Sequence, residues 1–416
     1  MRRERGGPAM MTLEKAPETA VESTPTSSAT APARASVVRR HDLDWLRIMA
    51  VLLLIPFHSA RVFDVWDPFY VKNAAKSGVL TWSVIAFLEP WHMQLLFVLA
   101  GAATWYALGH RSAGAYAGER FKRLLIPLGF GILVVVPPQT YLAGWFRGQH
   151  VSLGSYWDFS GDLTGYTGGW TPAHLWFIAF LFVFSLLALP LFMRWRRRPI
   201  GARWLLFAMP VVLLLANALP APDDGPQNPF YSLALFIGGF LLVADPRAEG
   251  MIHRAWKPLL ATAAGTMTTA LLLGHAGVGD MWAEGSLPDT FVSFLGNVNT
   301  WVCVLALLGA GHALFNRQNR VLRYANEGAY PFYLLHQTVI IVVAYVVVRW
   351  NLGLWPKYGL VLAGSFALTL GLYELVIRRY NPIRFLFGLK PRRPALPVMA
   401  ETNVKAEAAP GSVVRV

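Results

Sequence analysis

Arg47 and His58 stand eleven positions apart in and beside an otherwise apolar stretch, residues 45–63. On a helix that spacing is ~16 Å of rise, and eleven steps of ~100° return both to nearly the same face. An ionisable side chain within a bilayer is costly and marks a site until another role is found for it. A guanidinium at one end of such a stripe suits an anion. An imidazole near the other end titrates near neutral pH and can act as a base or a nucleophile. Plainer readings stand beside these. Arg47 also reads as a basic residue reaching for lipid headgroups, and His58 as a hydrogen-bonded packing residue, with Pro56 two positions before it.

Four further constellations carry chemistry. Arg120 and Arg123 share a helix face at i,i+3 and would form a fork suited to a diphosphate, or simply an ordinary basic loop. Glu89-Pro-Trp-His92 offers a carboxylate that could orient a histidine such as His58, or an interfacial acid. Trp170-Thr-Pro-Ala-His174-Leu-Trp176, with Asp158 and Asp162 nearby, could build a sugar platform or an aromatic belt. Tyr330-Pro-Phe-Tyr-Leu-Leu-His336 puts a histidine on a helix opened by Pro331, either lining a cavity or packed in the core. No Gly-rich phosphate loop, His-Glu-x-x-His or Gly-x-Ser-x-Gly occurs. Cys303 is the single cysteine, and His253, His275 and His312 lack ligand-like spacing, so no metal centre is expected.

The elements that must position these residues follow from composition. The 416 residues are 55% hydrophobic and 14% charged, against ~25% charged in soluble domains. That excludes an ordinary soluble enzyme and predicts an all-α integral membrane protein in a lipid bilayer. Ten apolar segments are long enough to be spans: 45–63, 81–108, 124–142, 174–193, 203–219, 229–244, 257–274, 290–314, 329–349 and 358–377. With the N-terminus inside, the inner segments hold 25 Lys and Arg and the outer ones 6, which predicts both termini in the cytoplasm. The net charge of +14 is then a topology signal, and no nucleic acid partner is expected. Residues 1–39 and 391–416 read as disordered cytoplasmic tails around a transmembrane domain at 40–390, with no signal peptide.

His41-Asp-Leu-Asp-Trp-Leu-Arg47 … Phe57-His58 resembles the opening helix of the membrane-bound acyltransferase 3 family, in which a basic residue precedes a histidine by ten intervening positions. Arg120-x-x-Arg123 followed by Leu-Leu-Ile-Pro127 resembles the family's second motif. Trp91-His-Met-Gln-Leu-Leu-Phe-Val-Leu-Ala-Gly101, His174-Leu-Trp-Phe and Tyr333-Leu-Leu-His336 are similar to the glucan-biosynthesis branch. The Trp-Ser-Leu-x-x-Glu-Glu-Gln segment of many members is absent. The resemblance covers about 40–385. It implies an enzyme of a bacterial inner membrane that moves an acetyl or succinyl group from cytoplasmic acyl-CoA, its donor substrate, to a hydroxyl of an extracytoplasmic glycan. Arg47, Arg120 and Arg123 would then hold coenzyme A. His58 would be base or acyl carrier and Glu89 its partner, with His92, His174, Trp176 and His336 near the acceptor. The oligomeric state is not implied.

The rival class is a proton-coupled polytopic transporter or exporter. It predicts paired broken helices in two pseudo-repeats, which the sequence does not display, and gives no reason for Arg120 and Arg123. A non-catalytic scaffold would not need Arg47, His58, Arg120 and Arg123 intact.

Overall fold

The computed structural model describes residues 40–392 apart from 67, 150, 160–162 and 222–224. The predicted tails over 1–39 and 393–416, and the carboxylates Asp67, Asp162, Asp223 and Asp224, lie outside the described residues. The described residues are helical, with no strand among them. Six helices are long and apolar enough to cross a membrane: α1 (His41–Arg61), α2 (Gly78–Leu108), α3 (Ala113–Phe146), α10 (Leu287–Phe315), α11 (Arg320–Val347) and α12 (Leu354–Ile377). Two bent pairs bring the number to eight if each is one span: α4 (Ala173–Leu187) with α5 (Leu189–Arg197), and α7 (Pro229–Ala244) with α8 (Pro246–Arg254).

Each of the ten predicted segments falls on helix, but not each is a simple span. The 203–219 segment forms α6 (Leu205–Asn217), 13 residues long or ~20 Å, short of a ~30 Å hydrocarbon core. The 257–274 segment forms α9 (Trp256–His275), long enough at 20 residues, but its threonines and glycines leave it less apolar than the six. The chain bends 50° between α4 and α5 and 92° between α7 and α8. The second corner has a local cause. One Asp245 carboxylate oxygen accepts from Arg247 N at 2.9 Å, capping α8 with Pro246 at its first position, and the other accepts from Ala202 N at 2.8 Å. One side chain thus starts a helix and ties the corner to the chain before α6.

α2 packs against α7 at backbone distance. A Cβ on Gly101 would lie 1.9 Å from the Phe236 carbonyl oxygen, and one on Gly239 would lie 2.0 Å from that of Val98. Helices in lipid gain no hydrophobic drive against each other, so small residues that allow close van der Waals approach carry the contact. Four turns widen to π geometry, at 81–85, 121–125, 131–135 and 373–377. Such turns often sit at functional sites.

Gly101→Ala is therefore expected to destabilise the detergent-purified protein by about 1–3 kcal/mol, seen as a lower Tm. Gly265→Ala, where a Cβ would meet nothing within 4 Å, should leave Tm unchanged.

Candidate active site

α1 and α11 run side by side in the same direction, joined by two polar rungs. At the first, the Arg47 guanidinium donates to the Asn326 amide oxygen and, at 2.8 Å, to Asp44. Its side chain stays 41% exposed. At the second, the His58 ring meets the His336 ring, centroids 5.1 Å apart. Asn326 precedes His336 by ten residues and Arg47 precedes His58 by eleven, so both helices climb ~15–16 Å between rungs.

A third histidine completes the upper rung. His174 lies 4.9 Å from His336, ring to ring. It is carried by a single 3-10 turn, Ala173–Leu175, entering α4. Ala173 has φ +45°, in the left-handed region that non-glycine residues avoid, and its N–H is held by the Thr171 hydroxyl at 2.9 Å. The Tyr333 hydroxyl donates to the His174 carbonyl, fixing the turn to α11.

Carbonyl oxygens only accept, so they set the tautomers. His174 Nε2–H donates to Leu334 O at 2.9 Å, and His336 Nδ1–H donates to Tyr333 O at 2.6 Å. The lone pairs are therefore left on His174 Nδ1 and His336 Nε2. Both atoms are buried and unpartnered among the described residues, as is His58 Nδ1. Three imidazoles with unused nitrogens converge in one place, and no carbonyl fixes the tautomer of His58. That arrangement can accept a proton and pass it on.

An ion cluster braces the C-terminal end of α1. Asp64 is fully buried and binds both Arg61 and Lys72. Burial pushes its carboxyl above the ordinary value, and the two cations oppose the shift. Lys72 also donates to the carbonyls of Arg61 and Trp66, and Arg147 donates to those of Phe69, Tyr70 and Tyr166. These bonds pin the segment after α1, whose Phe69 stacks on His58 at 6.2 Å.

The other residues singled out from sequence fall elsewhere. Glu89 is exposed, and no hydrogen bond joins it to His58; its charged neighbours are Arg61 and Asp64. His92 is buried and donates through Nε2 to Ala50 O at 2.6 Å, a helix-to-helix tie between α2 and α1. Trp176 packs on Phe97 and Phe180 at 6.0 and 5.4 Å. Arg120 and Arg123 turn to different partners. The Arg120 guanidinium lies 4.5 Å over the Tyr116 ring, whereas Arg123 pairs with Glu119 at 3.1 Å. The π turn at 121–125 takes the pair out of the i,i+3 register that a regular helix would give.

Two participants were not singled out from the sequence. Asn326 is one, and its ten-residue spacing before His336 was the available signal. The Tyr330 hydroxyl is the other. It is buried and unpartnered, as is Arg120 Nε, and it feels the Arg120 charge.

Residues 40–374 match the family described as "Acyltransferase domain". The chain is similar to "Glucans biosynthesis protein C" of Escherichia coli (strain K12), 24% identical over 402 residues, covering 89% of this chain and 98% of that protein. The protein of that name from Salmonella typhimurium (strain LT2) is 25% identical over 383 residues, covering 85% and 95%. No solved structure matches.

Asp64→Ala would leave Arg61 and Lys72 facing each other at a mostly buried site. It is expected to cost about 3–5 kcal/mol, measured as a fall in Tm of the detergent-purified protein. Glu89→Gln should leave Tm unchanged.

Proposed function

Because the chain belongs to the acyltransferase family and is an acyl-transferring, multi-pass membrane protein, we propose that it moves an acetyl or succinyl group from acyl-CoA to a hydroxyl of a glycan across an inner membrane. The ladder formed by α1 and α11 carries this reading. It offers cationic and polar donors at one end and a cluster of unpartnered imidazoles ~16 Å along the bundle. A polyanionic donor with a long thioester arm needs that separation.

At the first rung, Arg47 is half-exposed, and Arg120 Nε and the Tyr330 hydroxyl are buried donors with no partner among the described residues. Phosphate oxygens would satisfy all three groups, with Arg123 released from Glu119 as a fourth. The positive end would face the cytoplasm, with both termini there. The ten-span arrangement requires each bent pair, α6 and α9 to cross.

At the second rung, a lone-pair nitrogen of His58 takes the proton of the acceptor hydroxyl as its oxygen attacks the thioester carbonyl. The C–S bond breaks, and the thiolate leaves with that proton as coenzyme A thiol. The His336 ring lies 5.1 Å from that of His58 and 4.9 Å from that of His174, so a small closure of the three rings would let His336 Nε2 and His174 Nδ1 share the proton between the two stages. A variant of the same step puts the acyl group on His58 first. A glycan acceptor is supported by the name of the relatives, which speaks of glucan biosynthesis.

The transporter reading would draw on the two bent pairs. The corner of the α7–α8 pair, however, is a tight turn in which the Asp245 side chain caps the first turn of α8 and ties it to Ala202, rather than an unwound stretch in mid-span as in a broken transporter helix.

His58→Ala is expected to lower acyl transfer by about 10²–10⁴-fold while acyl-CoA still raises Tm. Arg47→Ala combined with Arg120→Ala should remove that thermal shift, which at 100 times Kd is about 2.7 kcal/mol in the unmutated protein. No shift in folded wild-type protein with either acetyl-CoA or succinyl-CoA would overturn the acyl-CoA reading.

A further inference from the structure

A second cluster lies at the opposite end of α1, away from the imidazoles described above. Asp42 on α1, His253 on α8 and His312 on α10 each offer a ligand atom, all within 4.8 Å of one another. We propose that these three residues form a site for a divalent transition-metal ion of the zinc class.

The ligand set is two imidazoles and a carboxylate, which suits zinc and other borderline ions better than calcium or magnesium. Asp42 Oδ2 and His312 Nδ1 are 3.3 Å apart. Tetrahedral bonds of ~2.0–2.1 Å put neighbouring ligand atoms about 3.3 Å apart, so this pair already has the required spacing. The His253 and His312 rings lie face to face, centroids 3.5 Å apart and 3° from parallel, so one ring must turn out of this stack for both in-plane lone pairs to meet at one ion, and the proposal includes that rotation on metal binding. Glu249 Oε1 is 3.9 Å from His253 Nε2 and is within reach as a fourth ligand. A cavity of about 20 Å³ beside the cluster is lined by Arg40, Glu249 and His253 but by neither Asp42 nor His312; it has room for one water next to the ion.

The fold builds this convergence. Two glycines flank the approach of α10. A Cβ on Gly309 would lie 2.9 Å from the Ile252 carbonyl oxygen, and one on Gly311 would lie 2.7 Å from the Leu46 side chain. Without side chains at these two positions, α10 comes close enough to α8 and α1 to set His312 against both partners. The local charge also permits a cation. Arg40 binds both Asp42 and Glu249, so Arg40 and its two carboxylates sum to −1 before any metal is added. Asp42 is fully buried with Arg40 and His312 as its partners. An ion here would tie three helices together beside the first rung.

The test uses full-length protein without a polyhistidine tag, treated with chelator and re-purified in detergent. Zn²⁺ is titrated calorimetrically, and Co²⁺ is added separately to read its visible d–d bands. One equivalent of Zn²⁺ and the intense bands of four-coordinate Co²⁺ are expected. The double variant His253→Ala/His312→Ala should weaken Zn²⁺ binding by about 100-fold or more, the upper range for loss of an outer-shell partner, and lose the bands. His275→Ala, whose ring packs on Trp82 instead, should keep both. The double variant counts only if its metal-free Tm equals that of the wild type; otherwise His253→Gln replaces it, with the same expectation. No binding by the wild type, or binding kept by the folded variant, overturns the proposal. Neither readout depends on acyl transfer.

Discussion

The contact on which the rest of the molecule depends is the parallel pairing of α1 with α11 through polar rungs. In hydrocarbon a polar group without a partner is costly, so rungs must meet in register or not at all. Arg47 against Asn326 and His58 against His336 fix that register at two heights. Sliding α11 by one residue would break both. The pairing therefore sets the distance between the cationic end and the imidazole end.

The remaining helices hold this pair in place by different means. His92 ties α2 to the Ala50 carbonyl in the middle of α1. Glycines bring α2 onto α7 and α10 onto α1 and α8. The Asp64 cluster braces the segment beyond α1. Ala173 sits at positive φ, and the hydrogen bonds of Thr171 and Tyr333 sustain it. Strain of this kind persists only where the surroundings over-determine it. Here its effect is to aim His174 at His336.

The two histidine clusters differ in their protons. In the upper one, backbone carbonyls take the N–H of His174 and His336 and leave lone pairs facing an apolar interior. In the lower one, a carboxylate and an arginine surround the imidazoles. Unpartnered lone pairs on imidazoles whose N–H groups are taken by carbonyls suit proton transfer. Lone pairs beside a net negative cluster suit a cation.

By itself the sequence determined the helical class, the positions of all ten apolar segments, the stripe joining Arg47 to His58, and the family resemblance that the match over 40–374 bears out. Each rests on composition or on spacing within one helix, which local periodicity encodes. The meeting of His58, His174 and His336 was not legible in the same way. The three were named as separate candidates, but their convergence depends on which helices pack together. Glu89, four residues beyond a helical turn that widens at 81–85, has a spacing equally suited to partner His58, but it is exposed and no hydrogen bond joins the two. Arg120 and Arg123 share a face only on a regular helix, and a π turn separates them. His253 and His312 are 59 positions apart with no motif between them, and only the close approach of α10 to α8 makes them neighbours. Spacing fixes what one helix presents; the packing of one helix on another, set by glycines and polar rungs, decided what meets.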